Sequence, residues 1–146
     1  MIKITLSVLL LLLTLIAAPA GVWAADPIPA PRPIYFSSGA KSGTVGGHVQ
    51  RGEQNLYSLV GDAGQFMTVS MTTPGGNATF QIYEPDTVVG RDGDGRLTFT
   101  GKTLRTGGPG EDATRWTGRL PRKGTYIIAI GSTRGNANYS MDVKIE

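Results

Sequence analysis

The sequence predicts an all-β protein, an antiparallel and jelly-roll-like β-sandwich of about eight strands. Three observations lead to this fold class. Apolar residues alternate with polar residues at a spacing of two, and glycine, proline and asparagine turns separate the alternating stretches about every ten residues. After the N-terminal region, no segment has a helical period. This combination is typical of two antiparallel sheets packed face to face.

The first 24 residues have the features of a secretory signal peptide. A short start carries the positive charge of Lys3, and residues 6–18 form an apolar run that is too short for a membrane-spanning helix of about 20 residues. Val22-Trp23-Ala24 permits cleavage after Ala24, and Ala18-Pro19-Ala20 is the alternative site. We therefore expect a periplasmic or secreted chain that keeps no membrane attachment after cleavage.

The rest of the chain divides into a linker, residues 25–33, and a single domain, residues 34–146. Pro27, Pro29, Pro31 and Pro33 remove every second backbone donor from the linker, so we expect it to be extended and exposed. The chain has no cysteine, so no disulfide stabilises the domain and its stability must come from a hydrophobic core.

The alternating stretches predict which side chains form that core. In each stretch one face should lie on the core and the other in water. The turns between them include residues 61–64, 74–77, 121–124 and 134–136. The apolar positions that share one phase predict a core between two sheets formed by Val69, Met71, Phe80, Ile82, Trp116, Leu120, Tyr126, Ile128 and Ile130.

Residues 87–113 interrupt this pattern. They contain seven glycines and one short candidate strand, residues 96–100. Long glycine-rich loops in small domains are usually functional or disordered. Because glycine raises the entropic cost of ordering and the apolar content is low, we expect this segment to be the least ordered part of the domain apart from the linker.

Charge is unevenly distributed along the chain. Residues 26–90 hold three basic and five acidic side chains, whereas residues 91–146 hold ten basic and six acidic ones. The formal charge of +3 for the whole chain is too small to indicate nucleic-acid binding. The asymmetry could steer an acidic partner towards the second half, or it could be ordinary surface variation.

Candidate catalytic residues are sparse. His48 is the only histidine, and it stands in a strand-like context with no Gly-x-Ser-x-Gly nucleophile motif elsewhere in the chain. With one histidine and no cysteine, a zinc site is not expected. We expect His48 to be a surface strand residue, and we predict no catalytic residue, no metal and no cofactor.

Two acidic groups offer alternatives to that expectation. Asp92-Gly93-Asp94-Gly95 resembles the start of a calcium loop, but Arg96, Leu97 and Thr103 occupy later positions that an EF-hand loop needs. Asp-Gly pairs are also common hairpin turns, which is the simpler interpretation. The remaining acidic group comprises Glu84, Asp86, Glu111 and Asp112, and no spacing brings these carboxylates together for acid–base catalysis.

Four motifs carry a resemblance to a known family. They are Gly52-Glu53-Gln54-Asn55-Leu56-Tyr57-Ser58-Leu59, Ala63-Gly64-Gln65-Phe66-Met67-Thr68-Val69-Ser70, Leu120-Pro121-Arg122-Lys123-Gly124-Thr125-Tyr126-Ile127-Ile128 and Asn138-Tyr139-Ser140-Met141-Asp142-Val143. Together they resemble the bacterial pre-peptidase C-terminal-like β-sandwich over nearly all of the chain after the linker. A stand-alone secreted chain of this shape is most similar to the periplasmic inhibitors of goose-type lysozyme.

This resemblance implies a non-enzymatic inhibitor that inserts residues 132–137 into the cleft of a lysozyme. Thr133-Arg134 matches the threonine–arginine pair of those inhibitors, and Asn138 stands where they carry a second arginine. The partner-binding residues implied for this chain are Ser132, Thr133, Arg134, Asn136 and Asn138. If the loop does not bind, the basic residues Arg91, Arg96, Lys102 and Arg105 are the next candidates.

An accessory module that binds carbohydrate or an envelope protein is the alternative function. A sugar platform needs exposed aromatic rings that lie flat in one patch. Trp116 and Tyr126 fall on the apolar phase of their strands, so we expect both to be buried. Exposure of Trp116, Tyr83 and Tyr139 in one plane would instead favour the carbohydrate-binding alternative.

Overall fold

The computed structural model describes Gly21 and residues 24–146, and none of these residues lies in a helix that could cross a membrane. The signal-peptide prediction therefore falls almost wholly outside the described residues. The strands are β1 (Arg32–Pro33), β2 (Ser42–Val49), β3 (Gln54–Gly61), β4 (Phe66–Thr72), β5 (Ala78–Tyr83), β6 (Val88–Arg91), β7 (Leu97–Thr100), β8 (Arg115–Arg119), β9 (Gly124–Ser132) and β10 (Ala137–Ile145).

Two four-stranded sheets form the sandwich, which confirms the predicted fold class. One sheet has the order β1-β3-β9-β5, and the other has the order β2-β10-β4-β8. Neighbouring strands are antiparallel except for β1, which pairs with β3 in parallel. The strands beyond the predicted number are β1, in the segment predicted as a linker, and β6, in the glycine-rich segment.

A single apolar core fills the space between the sheets. All nine side chains predicted for this core belong to it, and none is more than 7% exposed. The alternation of each strand explains why these side chains are buried. In β10, for example, the side chains alternate strictly between buried and exposed along the whole strand. Strands that share this period necessarily direct the same phase towards the opposite sheet.

β9 departs from the alternation because a second apolar cluster covers its outer face. β6 and β7 pair as a small hairpin, and this hairpin packs on the outside of the β1-β3-β9-β5 sheet. Tyr83 stacks on Phe99, with 4.4 Å between ring centroids and 12° between ring planes. Ile127 and Ala129 are buried beneath the hairpin, so β9 is apolar on both faces.

The glycine-rich segment is bonded to the sheet in this structure, and the prediction that it is the least ordered part of the domain stays a prediction. After β7 the chain runs along the edge of β5, where the Leu104 amide donates to the Ile82 carbonyl at 2.9 Å and the Ile82 amide donates to the Gly107 carbonyl at 2.8 Å. Further along, the Phe80 amide donates to the Ala113 carbonyl at 2.8 Å. Leu104 and Ala113 are buried in the main core, so the segment closes one side of the sandwich.

Candidate functional site

The β9–β10 loop lies at one end of the sandwich and contains the predicted partner-binding residues. β9 ends at Ser132, which is half-buried, whereas Thr133, Arg134 and Asn136 are exposed at the tip. Gly135 has a φ of 57°, a left-handed conformation that glycine adopts without a steric penalty. Asn138, in β10, is also exposed, so four of the five predicted residues are available on the surface.

The neighbouring β4–β5 turn holds the loop in one shape. The side-chain amide of Asn77 donates to the carbonyl of Arg134 at 3.0 Å and to the carbonyl of Asn136 at 2.8 Å. In return, the Thr133 amide donates to the Asn77 carbonyl at 2.9 Å. Sequence reasoning placed Asn77 in a turn but missed this role, because the contact joins residues far apart in the chain.

The guanidinium of Arg134 lies against the same turn. Its Nη2 donates to the carbonyl of Gly75 at 2.9 Å, and the contact is exposed to solvent. A guanidinium has several further N–H donors, and these are not used in the Gly75 contact. Arg134 is therefore oriented by the protein and still able to bind a carboxylate.

The start of β10 is fixed by β2 and by the turn that follows it. His48 and Asn138 are opposite each other in the β2–β10 pair, and His48 Nδ1 lies 2.9 Å from Asn138 Oδ1. Because an amide oxygen only accepts, Nδ1 donates this bond. The Arg51 amide donates to Asn136 Oδ1 at 2.9 Å. His48 is an exposed strand residue as predicted, and it orients Asn138.

A polar groove of about 600 Å³ runs from the loop to the tip of the β6–β7 hairpin. Ala129 and Gly131 form part of its lining together with the amide side chains of Gln54 and Gln81. Ser132 also lines this groove, and its Oγ is buried without a hydrogen-bond partner among the described residues. The groove can therefore exchange hydrogen bonds with a partner that covers the loop.

The four basic residues considered as a second candidate site do not form one patch. Arg96 lines the groove beside the β9–β10 loop and pairs with Asp94 at 3.1 Å. Arg91 donates to the carbonyls of Gly95 and Pro27. Lys102 and Arg105 belong to the segment along β5 and β8, where Arg105 lines a different groove.

The Asp92-Gly93-Asp94-Gly95 segment is a hairpin turn. Asp92 Oδ1 accepts from the amides of Asp94 and Arg96, both at 2.9 Å, and the Gly95 amide donates to the Asp92 carbonyl at 3.0 Å. These bonds close the β6–β7 connection. Within residues 24–146 the structure has no group of three or more histidine, aspartate or glutamate side chains positioned to hold a metal ion.

The three aromatic rings that could have indicated a sugar platform are buried. Trp116, Tyr83 and Tyr139 are each no more than 6% exposed. The Trp116 indole donates to the Arg105 carbonyl at 2.8 Å, and the hydroxyls of Tyr139 and Tyr57 are 2.7 Å apart. Burial raises the pKa of Tyr57 above its ordinary value, and the hydrogen bond to Tyr139 raises it further. These rings therefore have structural roles.

The fold is similar to that of small β-sandwich proteins that include solved lysozyme inhibitors. The PliG protein of Aeromonas hydrophila, a periplasmic inhibitor of g-type lysozyme, matches with a TM-score of 0.58 and 26% identity, over 80% of this chain and 96% of that chain. The PliG inhibitor of Salmonella Typhimurium matches with a TM-score of 0.54 and 18% identity, over 82% and 100%.

The second family suggested by the motifs has the same fold. The pre-peptidase C-terminal domain of a collagenase from Bacillus anthracis matches with a TM-score of 0.51 and 12% identity, over 82% of this chain and 99% of that domain. No protein-family model matches the chain, and no curated protein matches it in sequence. The likeness to both families, inferred from short motifs, is thus confirmed by solved structures.

Proposed function

We propose that this protein is a periplasmic or secreted, non-enzymatic inhibitor of a g-type lysozyme. The observation that carries the proposal is the structural match to PliG of Aeromonas hydrophila, which extends over 96% of that inhibitor. The signal-peptide features of residues 1–24 are in keeping with the periplasmic location in the names of both PliG proteins.

The proposed mechanism is the insertion of residues 132–137 into the lysozyme cleft. A muramidase cleft carries a catalytic carboxylate, and a guanidinium can bind a carboxylate through two parallel N–H···O bonds. Arg134 is exposed at the loop tip and uses one donor on Gly75. On binding, its remaining donors would pair with the carboxylate and so block access of the substrate.

The bonds around the loop support this mechanism because they reduce the entropic cost of binding. Asn77 holds the carbonyls on either side of Gly135, and Arg51 and His48 hold Asn136 and Asn138. A loop that is already ordered loses little conformational freedom when it enters a cleft. Asn138, which replaces a second arginine, would contribute a neutral hydrogen bond at the rim of the contact.

The first test is an inhibition assay with purified protein. A g-type lysozyme digests peptidoglycan while the protein is titrated, and a c-type lysozyme serves as the control for specificity. We expect lysis by the g-type enzyme to fall to near zero as the protein exceeds it. Unchanged lysis at large molar excess would contradict the proposed function.

Substitution of Arg134 tests the mechanism. Arg134→Ala should weaken inhibition at least about tenfold, which corresponds to about 1.4 kcal/mol, because a charge-assisted contact is lost. The melting temperature should change little, since the Gly75 bond is exposed. Arg134→Lys should recover part of the inhibition, because an ammonium cannot make the planar two-pronged contact.

Lys123→Ala is the matched control. Lys123 is an exposed cation in the turn before β9, at the opposite end of that strand from the loop. The Lys123→Ala variant should inhibit lysozyme as the wild type does. Equal inhibition by wild type and Arg134→Ala would move the contact away from the loop, to the groove lined by Arg96 or to another surface.

A further inference from the structure

Four basic side chains that form no ion pair within residues 24–146 lie along one side of the sandwich. Arg115 and Arg119 belong to β8, and Lys102 and Arg105 belong to the segment that crosses from β7 to β8; all are exposed. Arg119 Nη1 donates to the Gly64 carbonyl at 2.9 Å. Arg115 Nη2 lies 3.5 Å from Ser70 Oγ, so both arginines of β8 contact neutral acceptors, and Glu111 and Asp112 are the exposed carboxylates of the crossing segment.

β8 is also an open edge of its sheet, since it pairs with β4 on one side only. The amide of Leu120 donates to the Gln65 carbonyl, and the amide of Met71 donates to the Thr114 carbonyl. In an antiparallel pair every second residue bonds to the partner strand, so the even-numbered residues between Thr114 and Leu120 direct their backbone groups to β4. The N–H and C=O groups of Arg115, Thr117 and Arg119 therefore point away from β4.

Two of the other three sheet edges differ from β8 in their backbone groups, because β1 contains Pro33, which has no backbone donor, and the edge of β5 is bonded to residues 102–113. The remaining edge, β2, pairs only with β10, but it contains no lysine or arginine. Beside β8 lies a groove of about 510 Å³, lined by Arg105, Trp116, Arg119 and Pro121 among others. Its one carboxylate, Glu84, is paired with Arg122 Nε at 3.4 Å.

We propose that β8 binds an extended acidic peptide segment of a partner protein, which adds to the sheet as a further strand. Strand addition uses main-chain hydrogen bonds for affinity and alternate side chains for specificity. On the outer face, acidic side chains of the added strand would lie beside Arg115 and Arg119. On the inner face, small side chains would lie over the groove.

The charges argue against a second copy of this chain as the occupant. Two β8 edges paired with each other would bring Arg115 and Arg119 close to their own equivalents, and like charges on neighbouring strands are destabilising. In an acidic added strand, by contrast, each carboxylate beside an arginine of β8 would form an attractive cross-strand pair. The site is separate from the β9–β10 loop, so the proposal does not depend on lysozyme inhibition.

The experiment uses a labelled peptide of about seven residues in which glutamate and threonine alternate, with fluorescence anisotropy as the measurement. We expect saturable binding that weakens as salt is raised. A peptide with lysine in place of glutamate should not bind. A peptide of the same sequence with its glutamate amides methylated should bind at least about tenfold more weakly, because in an antiparallel added strand these amides are the donors that face β8.

Variants of β8 separate the charge contribution from the backbone contribution. Arg115→Glu with Arg119→Glu should weaken binding at least about tenfold, whereas Lys41→Glu with Arg51→Glu changes net charge equally and should have little effect. Thr117→Pro removes an N–H that β4 does not use, so the fold should persist while binding weakens. Thr117→Val keeps the N–H and should bind as the wild type does.

Several results would overturn the proposal. Equal binding by Thr117→Pro and Thr117→Val, or equal binding of the methylated peptide, would mean that charge alone attracts the probe. Absence of binding at peptide concentrations up to about 1 mM would mean that the arginines only prevent edge-to-edge association. Circular dichroism verifies the fold of each variant, and Arg115→Gln with Arg119→Gln replaces the charge reversal if that variant is unfolded.

Discussion

β9 and the glycine-rich segment of residues 87–113 are both packed into the domain, but different interactions hold them there. β9 reads Gly-Thr-Tyr-Ile-Ile-Ala-Ile-Gly-Ser, and its apolar side chains alone mark it as a strand that is covered on both faces. The glycine-rich segment has few such side chains, yet it contributes Leu104 and Ala113 to the main core. Its order comes from the edge of β5, which accepts and donates its backbone hydrogen bonds.

The difference shows what glycine contributes in each context. In the segment along β5, glycines are needed where neighbouring groups leave no space: a Cβ on Gly108 would lie 2.6 Å from Thr103 Oγ1, and one on Gly107 would lie 3.2 Å from Trp116 Cδ1. Gly107 and Gly108 therefore indicate close packing, whereas Gly110 of the same segment has open space around it. A segment of this composition can therefore be part of a core when a strand edge is available to it.

The largest expected effect is in β9. Ile128→Ala should lower the free energy of unfolding by about 2–5 kcal/mol, because a fully buried side chain is lost and a cavity remains between the sheets. Urea unfolding measures the change. Val60→Ala is the matched control on neighbouring β3: its side chain is 71% exposed, so the loss should be below about 0.5 kcal/mol. A loss under about 1 kcal/mol for Ile128→Ala would contradict the core described above.

A smaller loss is expected in the glycine-rich segment. Leu104→Ala should cost about 2 kcal/mol, near the lower end for a buried leucine, because the segment lies at the side of the sandwich and can relax towards the cavity. Val88→Ala, an exposed apolar truncation in the same segment, should cost less than about 0.5 kcal/mol. Equal, near-zero losses for both would mean that the segment is as loosely held as its composition suggests.

Alternation predicted the core strands well, because the period of two and the packing of two sheets are the same constraint. Every side chain named for the core from the sequence is buried in it. The period of two could not predict that the β6–β7 hairpin packs on the outer face. That packing depends on the stacking of Tyr83 on Phe99, two residues that are distant in sequence. It also could not predict β1, whose pairing with β3 is set by tertiary contact.

The candidate site was predictable only in part. The turn between two strongly patterned strands located the loop, and Gly135 at a positive φ agrees with a tight tip. The bracing contacts from Asn77, His48 and Arg51 join residues that are distant in sequence, so no local pattern marks them. The same holds for the grouping of Arg105 with Arg119, since the crossing of the chain beside β8 brings them to one groove.

The smallest expected effect concerns the contact between the glycine-rich segment and β5, the strand next to β9. Phe99→Leu keeps most of the apolar volume beneath the hairpin but removes the stacking on Tyr83, and aromatic pairs of this geometry contribute about 0.5–1.5 kcal/mol beyond burial. A double-mutant cycle with Tyr83→Leu isolates this contribution from the separate costs of the two substitutions. We expect a coupling energy of about 0.5–1.5 kcal/mol from urea unfolding. A coupling near zero, with both single variants still folded, would mean that the hairpin rests on the sheet through Val89 and Leu97 without help from the stacked rings.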